Sequence, residues 1–187
     1  GTVANQDLRG FTDVEYMVVT HPQFLGEAAR FANFRQQNDN IKIQVVTTEQ
    51  VYNDFSSGGQ DISGIRDFFK HLRDTGNPLK YVMMFGGASF DYKDRIQDNS
   101  NFVPTYISFN SKDLDASFVS DDYFTMLDDS DIIMTTIDRP IEFNTGNVGN
   151  QMDIAIGRFP AHDLNEMKIM VDKTISYYNK LPNEGTS

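Results

Sequence analysis

Three groups of residues have the types that chemistry uses: a glycine-rich strand exit, a run of aspartates and three histidines. Gly86-Gly87-Ala88-Ser89-Phe90-Asp91 follows an apolar stretch, where backbone N–H groups can cradle a phosphate. The dinucleotide fingerprint G-x-G-x-x-G is absent, and so is the G-K-[ST] ending of a P-loop. No helix is predicted to start behind it, so the stretch reads as a tight strand exit in which glycines allow positive φ. His21, His71 and His162 lie far apart, and the chain contains no Cys to pair with them. Spacing picks out no Ser-His-Asp set, and no residue is assigned as catalytic. A receiver-type phosphoacceptor fits poorly as well, because Met83-Met84-Phe85-Gly86 and Ile154-Ala155-Ile156-Gly157 supply neither its Asp nor its Lys.

Between Asp113 and Asp131 the chain carries seven Asp and no Lys or Arg. Asp113, Asp115, Ser117 and Asp121 fall on positions 1, 3, 5 and 9 of a calcium-binding loop. The template then breaks, since Phe118 stands where Gly is required and Phe124 where a bidentate Glu belongs. An EF-hand is excluded. What stays open is a looser structural Ca2+ site with Asp121 and Asp122 as candidate ligands. The alternative is a solvated acidic loop whose Asp side chains cap turns.

The elements around these groups alternate. Residues 1–13 read as a lead-in or an edge strand. Strands are predicted at Glu15–Thr20, Ile41–Val46, Tyr81–Phe85 and Met152–Ile156, from short apolar runs rich in β-branched residues. Pro22 suits the first turn of a helix running to about Asn38–Asn40. Thr48 is expected to cap a short helix through Tyr52. Asp61–Thr75 has Ile62, Ile65, Phe68, Phe69 and Leu72 on one face, and Ala161–Lys180 makes a long last helix. Residues 88–118 form a mostly irregular excursion, and Ile132–Phe143 suits a hairpin or an extended insertion. Apolar strands alternating with amphipathic helices imply a three-layer α/β/α domain with a mainly parallel sheet of about four core strands. Residues 14–182 then form a single subdomain and 183–187 a tail.

A length of 187 residues suits one domain, and 15 Phe with 8 Met can fill a core. The net charge of -11 argues against nucleic acid, whose binding needs basic clusters. No apolar run approaches the roughly 20 residues that span a bilayer. Gly1 in place of Met reads as a tag remnant on a piece of a longer chain.

The order of motifs is more specific than any one of them. Gly86–Asp91, then Val103-Pro104, then Ser120-Asp121-Asp122-Tyr123-Phe124 with Leu127-Asp128, then Asp153–Pro160 resembles the gingipain-like cysteine peptidases. Asn5–Gly10 and the Val18–Phe24 strand exit resemble that family's type IX secretion sortase branch, the PorU type. The resemblance implies the first, non-catalytic half of a caspase-like domain, with the His-Cys dyad in a downstream subdomain of the same polypeptide. It implies thiolate attack on a peptide carbonyl in the parent protein, removing C-terminal export signals from secreted cargo. An amine on a lipopolysaccharide then resolves the acyl-enzyme and anchors that cargo. It also implies export to the outer membrane or surface of a Gram-negative bacterium. Asp121, Asp122 and Arg158 are the candidates for the interface between the two halves, unless Arg158 merely pairs with a carboxylate at a strand end. This chain alone is expected to be inactive, with no catalytic residue and no cofactor beyond structural Ca2+.

Two other readings compete. A stand-alone flavodoxin-like module binding a ligand or a protein would show a polar-lined pocket at the strand ends. A metal hydrolase would need several carboxylates converging on one ion. Half of a peptidase should instead leave an apolar patch where its partner docks.

Overall fold

The computed structural model describes residues 6–93, 95–108, 118–128 and 152–180. Strands β1 (Tyr16–Thr20), β2 (Ile43–Thr47), β3 (Tyr81–Phe85) and β6 (Ala155–Phe159) form an all-parallel sheet in the order β2-β1-β3-β6. Helices α1 (Leu25–Asp39) and α4 (Leu164–Tyr178) cover one face, and α2 (Thr48–Phe55) and α3 (Ile62–Asp74) the other. Two short strands, β4 (Tyr106–Ile107) and β5 (Val119–Ser120), form a separate antiparallel pair. This is the expected three-layer α/β/α architecture. The predicted hairpin at 132–143 lies outside the described residues.

Why the sheet is buried on both faces is visible residue by residue. Along β1, Met17 and Val19 enter the core under α2 and α3, while Tyr16 and Val18 enter the core under α1 and α4. Phe68, Phe69, Ile65 and Leu72 of α3 are fully buried on the first side, and Phe31 and Ala28 of α1 sit on the second. Residues 6–13 form a 3-10 turn at Leu8–Gly10 and not an edge strand, and Leu8 joins the α2/α3 core.

Several element boundaries differ from the sequence reading: β2, read at Ile41–Val46, runs Ile43–Thr47, and Pro22 opens a 3-10 turn (Pro22–Phe24) ahead of α1. The cap of α2 is Thr47, not Thr48, and the helix continues to Phe55. Thr47 Oγ1 accepts from the Gln50 N–H (3.2 Å) while Gln50 Oε1 accepts from the Thr47 N–H (2.8 Å), a reciprocal capping box. The last helix begins at Leu164, because Asp163 accepts from the Glu166 N–H at 2.8 Å and caps it.

The fourth core strand runs Ala155–Phe159 and not Met152–Ile156. Met152 is solvent-exposed, and Asp153 is diverted to the acidic loop. Its N–H donates to the Thr125 carbonyl (2.9 Å) and its carboxylate accepts from the Leu127 N–H (2.8 Å). Pairing with β3 instead reaches Phe159, whose carbonyl accepts from the Gly86 N–H at 2.9 Å. Gly157 and Arg158 therefore lie inside the strand.

Gly86 holds φ +143°, and a Cβ there would meet Phe102 Cβ at 2.8 Å. Gly86→Ala is expected to cost about 3 kcal/mol, read from urea unfolding, because strain and clash add. Gly59→Ala, with ordinary space around it, should leave the midpoint unchanged.

Candidate functional site

Arg158 faces the α2/α3 side of β6, opposite Met84 of β3, and its guanidinium lies beneath the loops at the carboxyl ends of the strands. Nε donates to Asp121 Oδ2 (2.7 Å) and Nη2 to Asp121 Oδ1 (2.7 Å), a two-pronged fork on one carboxylate. Nη1 donates to the carbonyls of Gly86 (2.8 Å) and Val103 (2.7 Å), and Nη2 also donates to that of Pro104 (3.1 Å). A guanidinium has five N–H donors, and here each has an acceptor. Thr105 Oγ1 adds a bond to Asp121 Oδ1 at 2.8 Å. The Arg158 side chain is 12% exposed and that of Asp121 23%, so the pair is largely removed from water.

This one side chain thus joins the β3 exit, the 103–105 segment and the acidic loop. The loop is held from its other side by α3. Arg66 Nε donates to the Met126 carbonyl (2.8 Å), and Lys70 Nζ (3.1 Å) and Arg73 Nη2 (3.0 Å) donate to that of Leu127. Arg73 also pairs with Asp128 (2.9 Å) and Asp153 (3.1 Å). The basic stripe at 66, 70 and 73 escaped the sequence reading. Its spacing of four and three residues, beside the apolar face of α3, was the signal that could have found it.

Asp121 and Arg158 are therefore brought together, and Asp122 is not part of their pair. Its side chain is exposed, while its carbonyl accepts from Thr125 and Met126 in a 3-10 turn. A cation at Asp121 would have to compete with Arg158 for both carboxylate oxygens. Among the described residues, no group of three or more His, Asp or Glu converges as metal ligands would.

The glycine-rich exit is occupied by backbone pairing. Gly86 and Gly87 donate their N–H groups to the carbonyls of Phe159 and Ala161, both at 2.9 Å. Ser89 donates its N–H to Asn101 Oδ1 (3.1 Å) and Asp91 to Ser89 Oγ (3.1 Å), so four of the amides that a phosphate cradle would draw on are already used.

The histidines stay apart. His71 Nε2 lies 3.1 Å from the Arg9 carbonyl, and His162 Nδ1 lies 3.1 Å from that of Pro160. His21 Nδ1 accepts from the Gln23 N–H (3.2 Å), and its ring packs 4.8 Å from Phe102. Burial depresses the His21 pKa below its ordinary 6.5, against a smaller upward pull from Glu49.

A family model described as peptidase family C25 matches residues 9–187. No curated protein sequence matches the chain. Among solved structures, dimeric latent PorU from Porphyromonas gingivalis superposes with a TM-score of 0.72 at 33% identity. That match covers 94% of this chain and 16% of the PorU chain. The complex of RgpB pro- and mature domains from Porphyromonas gingivalis gives a TM-score of 0.57 at 19% identity, over 87% of this chain and 29% of that one. A structure described as a protease gives 0.57 at 14% identity, over 90% of this chain and 29% of its own. The last two show the fold alone. The chain spans less than a third of each of these structures.

Two outcomes are expected. Arg158→Met, which leaves Asp121 without its cation, should destabilise the chain by about 3 kcal/mol in urea, the low end for breaking a buried pair. Asp122→Asn should change stability by less than about 0.5 kcal/mol, as an exposed substitution does. The unfolded chain protonates His21 at a higher pH than the folded chain does, so stability must fall as pH drops below 6.5. That contribution is fully present above 6.5 and is lost as pH falls through the lower folded value. His21→Gln should flatten this part of a stability–pH curve measured by urea unfolding.

Proposed function

The chain belongs to peptidase family C25, and from that premise we propose that it is the non-catalytic first subdomain of a gingipain-like cysteine peptidase. One observation carries the reading: a member of a cysteine peptidase family, matched over 94% of its length to PorU, contains no Cys. The thiolate that attacks the peptide carbonyl then comes from another part of the same polypeptide, and the family resemblance puts its His partner there as well. The subdomain acts as a buttress, its sheet and loops stiffened by the Arg158 bonds at the strand ends that face ligands in open α/β sheets.

The branch resemblance supports the finer assignment. The parent protein removes C-terminal export signals from type IX secretion cargo and anchors that cargo at the outer membrane or cell surface of a Gram-negative bacterium. No helix among the described residues is long and apolar enough to cross a membrane. The reading requires no cofactor in this subdomain. A structural Ca2+ would use the exposed carboxylate of Asp122, because Arg158 holds that of Asp121.

The test compares this chain with the polypeptide that continues past Ser187, each incubated with a peptide carrying a C-terminal export signal. The longer protein is expected to cleave it and to lose that activity on treatment with iodoacetamide, while this chain alone does nothing. Iodoacetamide-insensitive turnover by the isolated chain would contradict the assignment.

A further inference from the structure

The hydrogen bonds of the three histidines fix which ring nitrogen carries a proton. His71 Nε2 and His162 Nδ1 each face a backbone carbonyl at 3.1 Å, so each donates, and each can go on donating when its ring is charged. His21 is the reverse case. Its Nδ1 faces the Gln23 N–H (3.2 Å), which can only donate, so this nitrogen must be bare. An imidazolium carries N–H at both positions, and that bond cannot survive protonation.

The bond sits at a junction. It caps the 3-10 turn Pro22–Phe24, through which β1 runs into α1. The His21 backbone N–H donates to the Phe85 carbonyl at the end of β3 (3.2 Å). Its ring packs 4.8 Å from Phe102 and 6.1 Å from the fully buried Phe24, and those two phenylalanines meet each other at 5.0 Å. Phe102 and Val103 both donate their N–H groups to the Gly87 carbonyl (2.9 and 3.2 Å), and the Val103 carbonyl is one of the Arg158 acceptors. The imidazole therefore fastens the start of α1 and the 102–103 segment to the same strand ends.

Charge around the ring is sparse. The strand ends, the 3-10 turn and residues 100–104 contribute no ionisable side chain. Glu49, exposed in the first turn of α2, favours a charged ring, but partial burial resists it more strongly. Beside Gly87, His162 lies 3.7 Å from Glu166 of α4. A proton is thus taken up more readily once the ring has turned out of its place, so acid favours the turned-out state. A cation left on Phe102 would gain some attraction from that ring, but only with the Gln23 N–H opposed to another N–H.

We propose that His21 is a proton-operated latch: neutral, it holds the Pro22–Phe24 turn and the 102–103 segment on the carboxyl ends of β1 and β3; charged, it swings toward Glu49 and releases both. The latch lies wholly within this chain and does not depend on the peptidase reading. Its release loosens a segment on which Arg158 spends its donors, so acid softens the strand ends while the sheet beneath stays folded.

Amide NMR of this chain, titrated from about pH 8 to about pH 5, reads the latch directly. The Gln23, Phe102 and Val103 amides should shift with one midpoint, the same as that of the His21 ring protons. On the acid side their hydrogen-exchange protection, corrected for the intrinsic rate, should be about fivefold lower, the loss of one cap. His21→Asn keeps an acceptor for the Gln23 N–H and cannot charge, so in it the protection should stay constant. Glu49→Gln, an exposed change that leaves the ring in place, should move the common midpoint to lower pH. Unchanged protection of Phe102 and Val103 while the His21 ring titrates would overturn the latch. So would the same loss of protection in His21→Asn, which would assign it to another group, or an unmoved midpoint in Glu49→Gln.

Discussion

The carboxyl ends of the strands depend on one guanidinium. Arg158 spends all five of its N–H donors on Asp121 and on the carbonyls of Gly86, Val103 and Pro104. Each of those acceptors lies in irregular chain that has no ladder of its own to satisfy it. A buried carbonyl without a donor costs about 1–3 kcal/mol, and an unpaired carboxylate costs more. The irregular segments can therefore cross the top of the sheet because β6 sends a saturated arginine up to meet them. Lysine could not replace it, because a compact ammonium cannot reproduce the planar fork on Asp121.

This arrangement explains an acidic loop in a chain of net charge -11. The described part of the loop, residues 118–128, is held from two sides. Asp121 faces Arg158 on one side, and on the other the carbonyls of Met126 and Leu127 face the basic stripe of α3. Asp153, just ahead of β6, bridges the two by accepting from the Leu127 N–H while pairing with Arg73. The strand that carries Arg158 is thereby tied to the loop at both ends.

Much of the fold was legible in the sequence, because apolar runs and helical periodicity report burial directly. β3 was read at its observed limits, Tyr81–Phe85, and α3 to within a residue at each end. β6 was misplaced by three residues because Met152, Ile154 and Ile156 continue an apolar alternation that ignores the diversion of Asp153. Gly157 then looked like a strand end, although it is a small residue inside the strand, where a Cβ would meet Met83 Sδ at 3.0 Å. Of the candidate site, the types Asp121 and Arg158 were legible, and a pairing of Arg158 with some carboxylate at a strand end was named as one option, without naming Asp121 as that carboxylate. That the arginine has five partners was not legible, because three of them are backbone carbonyls that leave no trace in residue type.

The central claim is that Arg158 and Asp121 stabilise the fold as one unit. A double-mutant cycle in urea with Arg158→Met and Asp121→Asn measures it directly. The account predicts a coupling energy of about 2 kcal/mol or more, within the range for contacting residues in one network. Additive effects, with a coupling below about 0.5 kcal/mol, would show that the two side chains act independently and would contradict it.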